Sequence, residues 1–122
     1  MITGVVRARE ACIRLGIRGP GGREREIEAV IDTGFAGWLT IPPALVTALH
    51  LPWRSIIRGV LADGSQRDFD VYDAAIVWDG RVRRIPVNEA NANPLVGMAL
   101  LAGYELKMQV RSRGKVTIKP LP

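Results

Sequence analysis

The sequence predicts one mostly-β, barrel-like domain over residues 1–122 that also contains two short helices. Most segments alternate apolar and polar residues with a period of two, and Gly, Asp-Gly or Pro marks their boundaries. Hydrophobic residues make up 48% of the 122-residue chain, which is enough for a folded core. The sequence contains no linker that would divide the domain and no internal repeat.

The first predicted hairpin leads to the most informative residue of the chain. A strand over residues 5–17 ends at the Gly-Pro-Gly-Gly turn of residues 19–22, and a second strand, Glu24–Ile31, returns beside it. The apolar side chains of this second strand share one face, whereas Asp32 falls on the opposite face where the strand ends. The Asp32 carboxylate can therefore leave the core for a cleft, which avoids the cost of burying a charge.

A short strand and a helix are predicted next, and a second helix near the C-terminus. The strand covers residues 38–41, and Pro42-Pro43 ends it. Because Pro suits the first turn of a helix and the following apolar residues recur at helical spacing, a helix is predicted over residues 43–50. The second helix is predicted to end at Leu101.

Three further hairpins are predicted from Gly-containing turns between alternating segments. Asp-Gly pairs at positions 63–64 and 79–80 favour tight turns, and Arg113-Gly114 lies between the last two segments. The three hairpins join, in chain order, residues 56–61 to 69–78, residues 69–78 to 82–87, and residues 105–110 to 115–118.

Arginine supplies most of the net charge of +5, which raises the possibility of nucleic-acid binding. The basic residues are scattered, however, and many alternate with apolar residues, so they are expected on the solvent faces of strands. The aromatic residues form no stripe on which bases would stack. A basic nucleic-acid-binding β-barrel is therefore the weaker alternative. The preference for arginine suggests a bacterial source.

Cys12 and His50 are each the only residue of their type. Between Ala11 and Ile13, Cys12 is predicted to be a small apolar strand residue, and His50 is predicted to end a helix. One cysteine and one histidine build neither a thiolate cluster nor a multi-histidine site. No metal and no cofactor are therefore expected.

No segment indicates export or membrane insertion. Charges at Arg7, Arg9 and Glu10 interrupt any apolar leader. No apolar run approaches the roughly 20 residues that a membrane-spanning helix needs. A cytoplasmic protein without membrane contact is therefore expected.

Four motifs, in this order along the chain, resemble those of retropepsin-like aspartic proteases, particularly small stand-alone bacterial members. An Asp-Thr-Gly triplet after an apolar strand is typical of the catalytic loop of that family, and the other three motifs follow it in the order found in the family, so that the resemblance extends over nearly the whole chain. The resemblance implies a retropepsin-like acid protease barrel, which is half of a pepsin-like fold. The motifs are Asp32-Thr33-Gly34, Leu39-Thr40-Ile41-Pro42, Leu61-Ala62-Asp63-Gly64-Ser65 and Leu95-Val96-Gly97.

The resemblance assigns catalytic roles to the triplet. Asp32 would act alternately as base and acid, the Thr33 hydroxyl would grip the partner subunit beneath the catalytic pair, and the Gly34 N–H would face the carboxylate. Family members use two aspartates around one water, and this chain has one such triplet. The second aspartate would therefore come from a second copy, so a homodimeric endopeptidase acting on a polypeptide is expected.

The resemblance also implies a substrate-covering flap at Ala62, Asp63 and Gly64. The alternative for these residues is an ordinary type I′ turn without a functional role. Side chains of Leu61, Trp78 and Ile85 could line substrate pockets or belong to the core.

The chain departs from the family pattern at two places. Phe35 follows the triplet where pepsin-like enzymes often carry a hydroxyl or a small side chain, so a less acidic pH optimum is expected. Met98-Ala99 stands where many relatives place a charged residue that ties the C-terminal helix to its neighbours. This leaves a second alternative, a retropepsin fold without catalysis that serves in dimerisation or peptide binding. Strand character at both termini also leaves an intersubunit terminal sheet open.

Overall fold

A computed structural model describes residues 1–122 and contains ten strands, two helices and one 3-10 turn at Pro20–Gly22. The mostly-β prediction with two short helices is confirmed. The elements, in chain order, are β1 (Ile2–Arg7), β2 (Glu10–Arg18), β3 (Glu24–Ile31), β4 (Leu39–Ile41), α1 (Pro43–Leu49), β5 (Trp53–Val60), β6 (Gln66–Trp78), β7 (Arg81–Glu89), β8 (Leu95–Val96), α2 (Met98–Leu101), β9 (Tyr104–Met108) and β10 (Lys115–Pro120).

All ten strands belong to one sheet that closes on itself. The strand order is β5-β6-β7-β4-β8-β3-β2-β1-β10-β9, and β6 also pairs with β2. This additional pairing completes a ring of six strands, β2-β3-β8-β4-β7-β6. Inward-facing apolar residues of the ring form the core, among them Ile13, Leu15 and Ile17 of β2 and Ile76 and Trp78 of β6. Closure removes free edges from these six strands.

The two-residue strand β8 lies between β3 and β4 and positions the candidate site. It runs parallel to β3, with Val30 opposite Leu95 and Ile31 opposite Val96. It runs antiparallel to β4, with Leu39 opposite Val96. The C-terminal part of the chain is thus inserted beside the end of β3, where Asp32 begins the next loop.

The prediction of one strand over residues 5–17 is wrong, because a tight turn divides this segment. Ala8 and Arg9 have φ values of 50° and 64°, and β1 and β2 pair across them with Arg7 opposite Glu10. Two consecutive positive φ angles are typical of a type I′ hairpin turn, which usually carries Asn or Gly. Neither Asn nor Gly is present at positions 8 and 9, so no residue type marked this turn in advance.

The other strand and helix predictions agree with the structure to within a few residues. β3 has the predicted bounds, and helix α1 ends with His50 in the left-handed conformation at φ 51°. Cys12 is buried in β2, where loss of solvent raises its pKa. Neither helix has the length and apolar content that would allow it to cross a membrane.

Both termini pair within the chain. β1 and β10 are antiparallel neighbours, with Ile2 opposite Ile118 and Val5 opposite Lys115. β10 in turn pairs with β9, the edge strand. Residues that could have joined an intersubunit sheet are therefore engaged with one another in a single chain.

Arginines on β1 and β2 face glutamates on β3 along the outer surface of the sheet. The pairs are Arg7–Glu28 at 2.7 Å, Arg14–Glu26 at 2.6 Å and Arg18–Glu24 at 3.4 Å. The Arg7 hydrogen bond holds the pKa of Glu28 below its usual range. These pairs agree with the prediction that alternating arginines lie on the solvent faces of strands.

Candidate active site

Backbone hydrogen bonds on both sides of Asp32 fix the start of its loop. The Asp32 N–H donates to the carbonyl of Val96 on β8 at 2.9 Å, and the Phe35 N–H donates to the Asp32 carbonyl at 3.1 Å. The loop therefore turns immediately after β3 and remains attached to β8. This attachment holds the Asp32 side chain at the end of the strand, where it is partly exposed.

The Asp32 carboxylate is oriented by its own loop. The Gly34 N–H donates to Asp32 Oδ1 at 2.9 Å. A Cβ atom at position 34 would lie 3.3 Å from the same oxygen, so the absence of a side chain permits this close approach. Gly34 does not have a positive φ, and a sharp left-handed turn is not its role. Thr33 is exposed at the surface of this single chain.

Three more backbone hydrogen bonds attach the start of α2 to the Asp32 loop. The N–H groups of three consecutive residues, 97 to 99, donate to carbonyls of the segment between Asp32 and β4. Because backbone groups make these bonds, the attachment does not require a charged side chain at Met98 or Ala99. The bonds are Gly97 to Trp38 at 3.0 Å, Met98 to Phe35 at 2.8 Å and Ala99 to Gly37 at 3.1 Å.

Gly97 is confined by this attachment. A Cβ atom there would lie 2.2 Å from the carbonyl oxygen of Gly37 and 2.8 Å from that of Phe35. Both obstacles are backbone atoms, which cannot move without disrupting the loop. The Phe35 ring covers the same glycine, since the Cβ would also meet its Cδ2 atom at 2.6 Å. The motif Leu95-Val96-Gly97 thus ends in the one residue that fits beneath the Asp32 loop.

The proposed flap residues lie at the tip of a separate hairpin formed by β5 and β6. The Leu61 N–H donates to Ser65 at 2.8 Å, and the Gly64 N–H donates to Leu61 at 2.9 Å. Only Gly64, at φ 84°, has a positive φ in this turn, whereas a type I′ turn needs two such residues. The predicted turn type I′ is therefore wrong, because the tip is a three-residue loop over residues 62–64; the flap role of these residues stays a prediction.

Asp63 stabilises the tip through its side chain. Its Oδ1 accepts hydrogen bonds from the Ser65 hydroxyl at 2.5 Å and from the Ser65 N–H at 2.9 Å. The hydroxyl contact, followed by the backbone contact, lowers the pKa of Asp63. The carboxylate is thus used to hold the turn.

The hairpin exposes apolar side chains on both of its faces. Ile56 and Val60 lie on one face and are 58% and 71% exposed, while Ile57 and Leu61 lie on the other. Such exposure is unusual for a free two-stranded hairpin in water. The strand β5 is also an edge strand of the sheet, so its outer backbone groups are not engaged by another strand.

Of the three residues that could line substrate pockets or belong to the core, two belong to the core. Trp78 is 1% exposed and Ile85 is 2% exposed, and both pack in the main hydrophobic cluster. Their alternating positions face the inside of the closed sheet, and the sequence period does not distinguish core from cleft. Leu61 is accessible at the hairpin tip.

Sequence reasoning missed two residues that support the site. Gly37 accepts the Ala99 hydrogen bond and lies beneath the Phe35 ring, where a Cβ would meet ring atoms at 2.6 Å. The Thr40 hydroxyl accepts a hydrogen bond from the Leu95 N–H at 3.1 Å and so joins β4 to β8. The presence of another glycine, three residues after Gly34, was the available signal for Gly37.

Solved structures show what fold this arrangement represents. The chain is similar to the EIAV protease, with 16% identity, a TM-score of 0.58 and coverage of 77% of this chain and 86% of that one. It is also similar to a retropepsin-like aspartic protease from Rickettsia conorii, with 12% identity, a TM-score of 0.58 and coverage of 100% and 91%. The protein has the retropepsin-like aspartic protease fold, as the motifs predicted. No family model and no curated protein matches the sequence.

Proposed function

We propose that the protein is a homodimeric aspartic endopeptidase whose active site forms from two Asp32 residues, one from each subunit. The observation that carries the proposal is the Asp32 loop, in which the Gly34 N–H orients the carboxylate at 2.9 Å and β8 holds the backbone. The retropepsin-like fold, shared with two proteases, supports it. No cluster of three or more metal-ligating side chains competes with this assignment.

Two carboxylates are needed for the chemistry that we propose. When two carboxyl groups lie about 3 Å apart they share one proton, because two adjacent negative charges are costly. The ionised group accepts a proton from water as the water attacks the peptide carbonyl. The protonated group donates a hydrogen bond to the carbonyl oxygen, which becomes negative. The two pKa values then belong to the pair.

The proposed substrate is an extended polypeptide. An extended chain presents backbone donors and acceptors that can pair with strand edges, and β5 offers such an edge. The exposed apolar side chains of the hairpin, such as Ile57 and Leu61, would contact substrate side chains and exclude water. In this proposal Ala62, Asp63 and Gly64 form the flap tip and Thr33 contacts the partner subunit.

The Asp32→Asn variant tests catalysis directly. Cleavage of an unfolded protein substrate, measured from about pH 3 to pH 7, should fall about 1,000-fold or more because the amide cannot share the proton. Asp79→Asn is the matched control, since Asn is well accepted in its type I′ turn, and it should retain activity. Equal cleavage by wild type and Asp32→Asn would disprove the assignment. No cleavage by wild type would favour the dimerisation or peptide-binding alternative.

Mixing the two chains tests the dimer. An excess of Asp32→Asn chain added to wild type should lower the specific activity, because mixed dimers contain only one carboxylate at the axis. Sedimentation at the assay concentration should show a dimer. Unchanged activity in the mixture would contradict a site shared between subunits.

Phe35 sharpens the expected pH dependence. Its side chain packs against Gly37 and Gly97 and has no hydrogen-bond donor for the catalytic pair. The ionised form of the two Asp32 carboxylates would therefore lack one stabilising hydrogen bond. The pH optimum of cleavage should accordingly be less acidic than in pepsin-like enzymes. A rate profile that peaks in strong acid would contradict this expectation.

A further inference from the structure

A cleft of about 460 Å³ lies at the base of the β5–β6 hairpin. Its walls come from the end of β2, the beginning of β5 and the middle of β6 and β7. Three arginines, Arg18, Arg54 and Arg84, line it together with a single acid, Asp73. We call this feature the arginine cleft. Its volume falls within the range of small-molecule sites in proteins.

Sheet register places two of these arginines on either side of a small residue. Ala75 on β6 lies opposite Arg84 on β7 and also opposite Arg18 on β2. Directly opposed residues of antiparallel strands project from the same face of the sheet. The three side chains therefore form one row, and the two outer Cα atoms are separated by two strand spacings, roughly 10 Å. Because Ala75 is short, the space between the guanidinium groups stays open.

The charges of the arginine cleft are only partly compensated. Arg54 forms an ion pair with Asp73 at 3.0 Å, and this is the only ion pair between two residues that line the cleft. Arg18 Nε lies 3.4 Å from Glu24 and is shielded from solvent without a hydrogen bond. Arg84 is in no ion pair, so across Ala75 the Arg84 guanidinium has no charge partner and faces the guanidinium of Arg18, whose one ion pair is made with Glu24 outside the cleft lining. Guanidinium groups bind phosphate and carboxylate oxygens through paired N–H donors.

Apolar surface accompanies these charges. Pro20 and Pro52, which are exposed, line the cleft beside the arginines, whereas the neighbouring Ala74 and Ile85 belong to the core. An inorganic ion would leave this apolar surface in contact with water, whereas an organic molecule with an anionic end would cover it. The lining therefore favours an organic anion over a simple ion.

The arginine cleft is remote from Asp32. Arg18 lies opposite Glu24 at the first residue of β3, and Asp32 follows the last residue of that strand. Eight residues of extended chain separate them, which corresponds to roughly 26 Å. A dimer formed around Asp32 would thus join the molecules at the other end of β3.

We propose that the arginine cleft binds a small organic dianion, such as a phosphate monoester or a dicarboxylate. The anionic groups lie between Arg18 and Arg84 above Ala75, and the organic part covers the exposed Pro20 and Pro52. The Asp73 carboxylate, fixed by Arg54, is positioned to accept a hydrogen bond from a ligand hydroxyl. The site is independent of the proposed protease activity.

Binding of phenyl phosphate, inorganic phosphate and succinate to the full chain, measured by calorimetry at fixed salt, tests the proposal. Phenyl phosphate should bind saturably and more tightly than inorganic phosphate because of the apolar lining. Comparison with succinate distinguishes a phosphate site from a dicarboxylate site. The Arg84→Gln variant should weaken binding of the preferred organic dianion about 10-fold or more. Arg81→Gln, which removes the same charge from an exposed position of the same strand, should change it less than about 2-fold.

The Ala75→Leu variant separates shape from charge. It leaves every charge in place but fills the space between Arg18 and Arg84, so it should abolish binding while circular dichroism shows a folded sheet. If Arg84→Gln and Arg81→Gln weakened binding of the dianion equally, binding would depend only on general electrostatic attraction, and the proposal would be overturned. If neither phenyl phosphate nor succinate bound saturably up to about 10 mM, the proposal would also be overturned, because a site with so high a dissociation constant is very weak.

Discussion

The Asp32 loop and the Asp63 hairpin tip are both turns that carry an aspartate, but their backbones are fixed in different ways. β8 and the start of α2 hold the Asp32 loop through backbone hydrogen bonds from residues distant in sequence. The hairpin tip is held by hydrogen bonds among its own residues, 61 to 65. The Asp32 loop also has local hydrogen bonds, from Gly34 and Phe35 to Asp32, but it alone is attached to distant segments as well. Local chemistry therefore suffices for the hairpin tip, whereas tertiary structure helps to fix the Asp32 loop.

This difference matches the two tasks that the proposed function assigns. A catalytic carboxylate requires a fixed position, because small displacements of reacting groups are costly in rate. A flap must open to admit substrate and close over it, so it belongs to the least stable part of a fold. Variants that change one turn and leave the other unaltered test whether the two turns are held in these different ways.

Gly97→Ala should have the largest effect. Its Cβ would lie 2.2 Å from the Gly37 carbonyl oxygen, so the Asp32 loop and α2 must separate. We expect a loss of about 3 kcal/mol or more in the free energy of unfolding, measured by denaturant titration. Gly16→Ala is the matched control, since its Cβ would meet Val77 at an ordinary 3.5 Å, and its effect should stay within about 1 kcal/mol. If Gly97→Ala and Gly16→Ala lowered the free energy of unfolding equally, the close contact between Gly97 and the Asp32 loop would be unimportant for stability.

Gly64→Ala should have an intermediate effect confined to the hairpin tip. The φ of 84° strains any L side chain by about 1 kcal/mol, although nothing obstructs the new methyl group. Amide exchange at Leu61 should accelerate, while exchange at Asp32 should not change. Gly80→Ala carries a similar strain at φ 78° in another turn and should leave the Leu61 amide unaffected. Faster exchange at Asp32 in Gly64→Ala would show that the two turns are coupled.

Ser65→Ala should have the smallest effect, on the pKa of Asp63. The Ser65 hydroxyl lowers this pKa, so its removal should raise the pKa towards the ordinary aspartate value. Because the folded-state pKa is depressed, the stabilisation of the tip is present above the unfolded value and is lost as pH falls through the folded value, below about pH 4. A carboxyl titration by NMR measures the shift, and Ser65→Thr, which keeps the hydroxyl, should preserve the low pKa. An unchanged pKa in Ser65→Ala would assign the shift to the backbone contact.

Prediction from sequence succeeded where neighbours along the chain carry the information. The period of β3 correctly placed Ile31 in the core and Asp32 at the end of the strand, and prolines correctly marked the start of α1. It failed at the β1–β2 turn, because Ala8 and Arg9 adopt positive φ without the usual residue types. It left Trp78 open between core and substrate pocket, since alternation alone does not reveal what an inward face encloses.

The sequence by itself determined the succession of strands and helices along the chain, most of the turns between them and the position of Asp32 at the end of a strand. These follow from local preferences, in which each residue acts on its immediate neighbours. Only the tertiary structure decided that β6 would close the ring onto β2. This closure brings Arg18 next to Ala75, which lies opposite Arg84 on the neighbouring strand. Insertion of β8 between β3 and β4 separately confines Gly97 beneath the Asp32 loop. Such contacts depend on the register between strands distant in sequence, which is set when the whole sheet packs around one core.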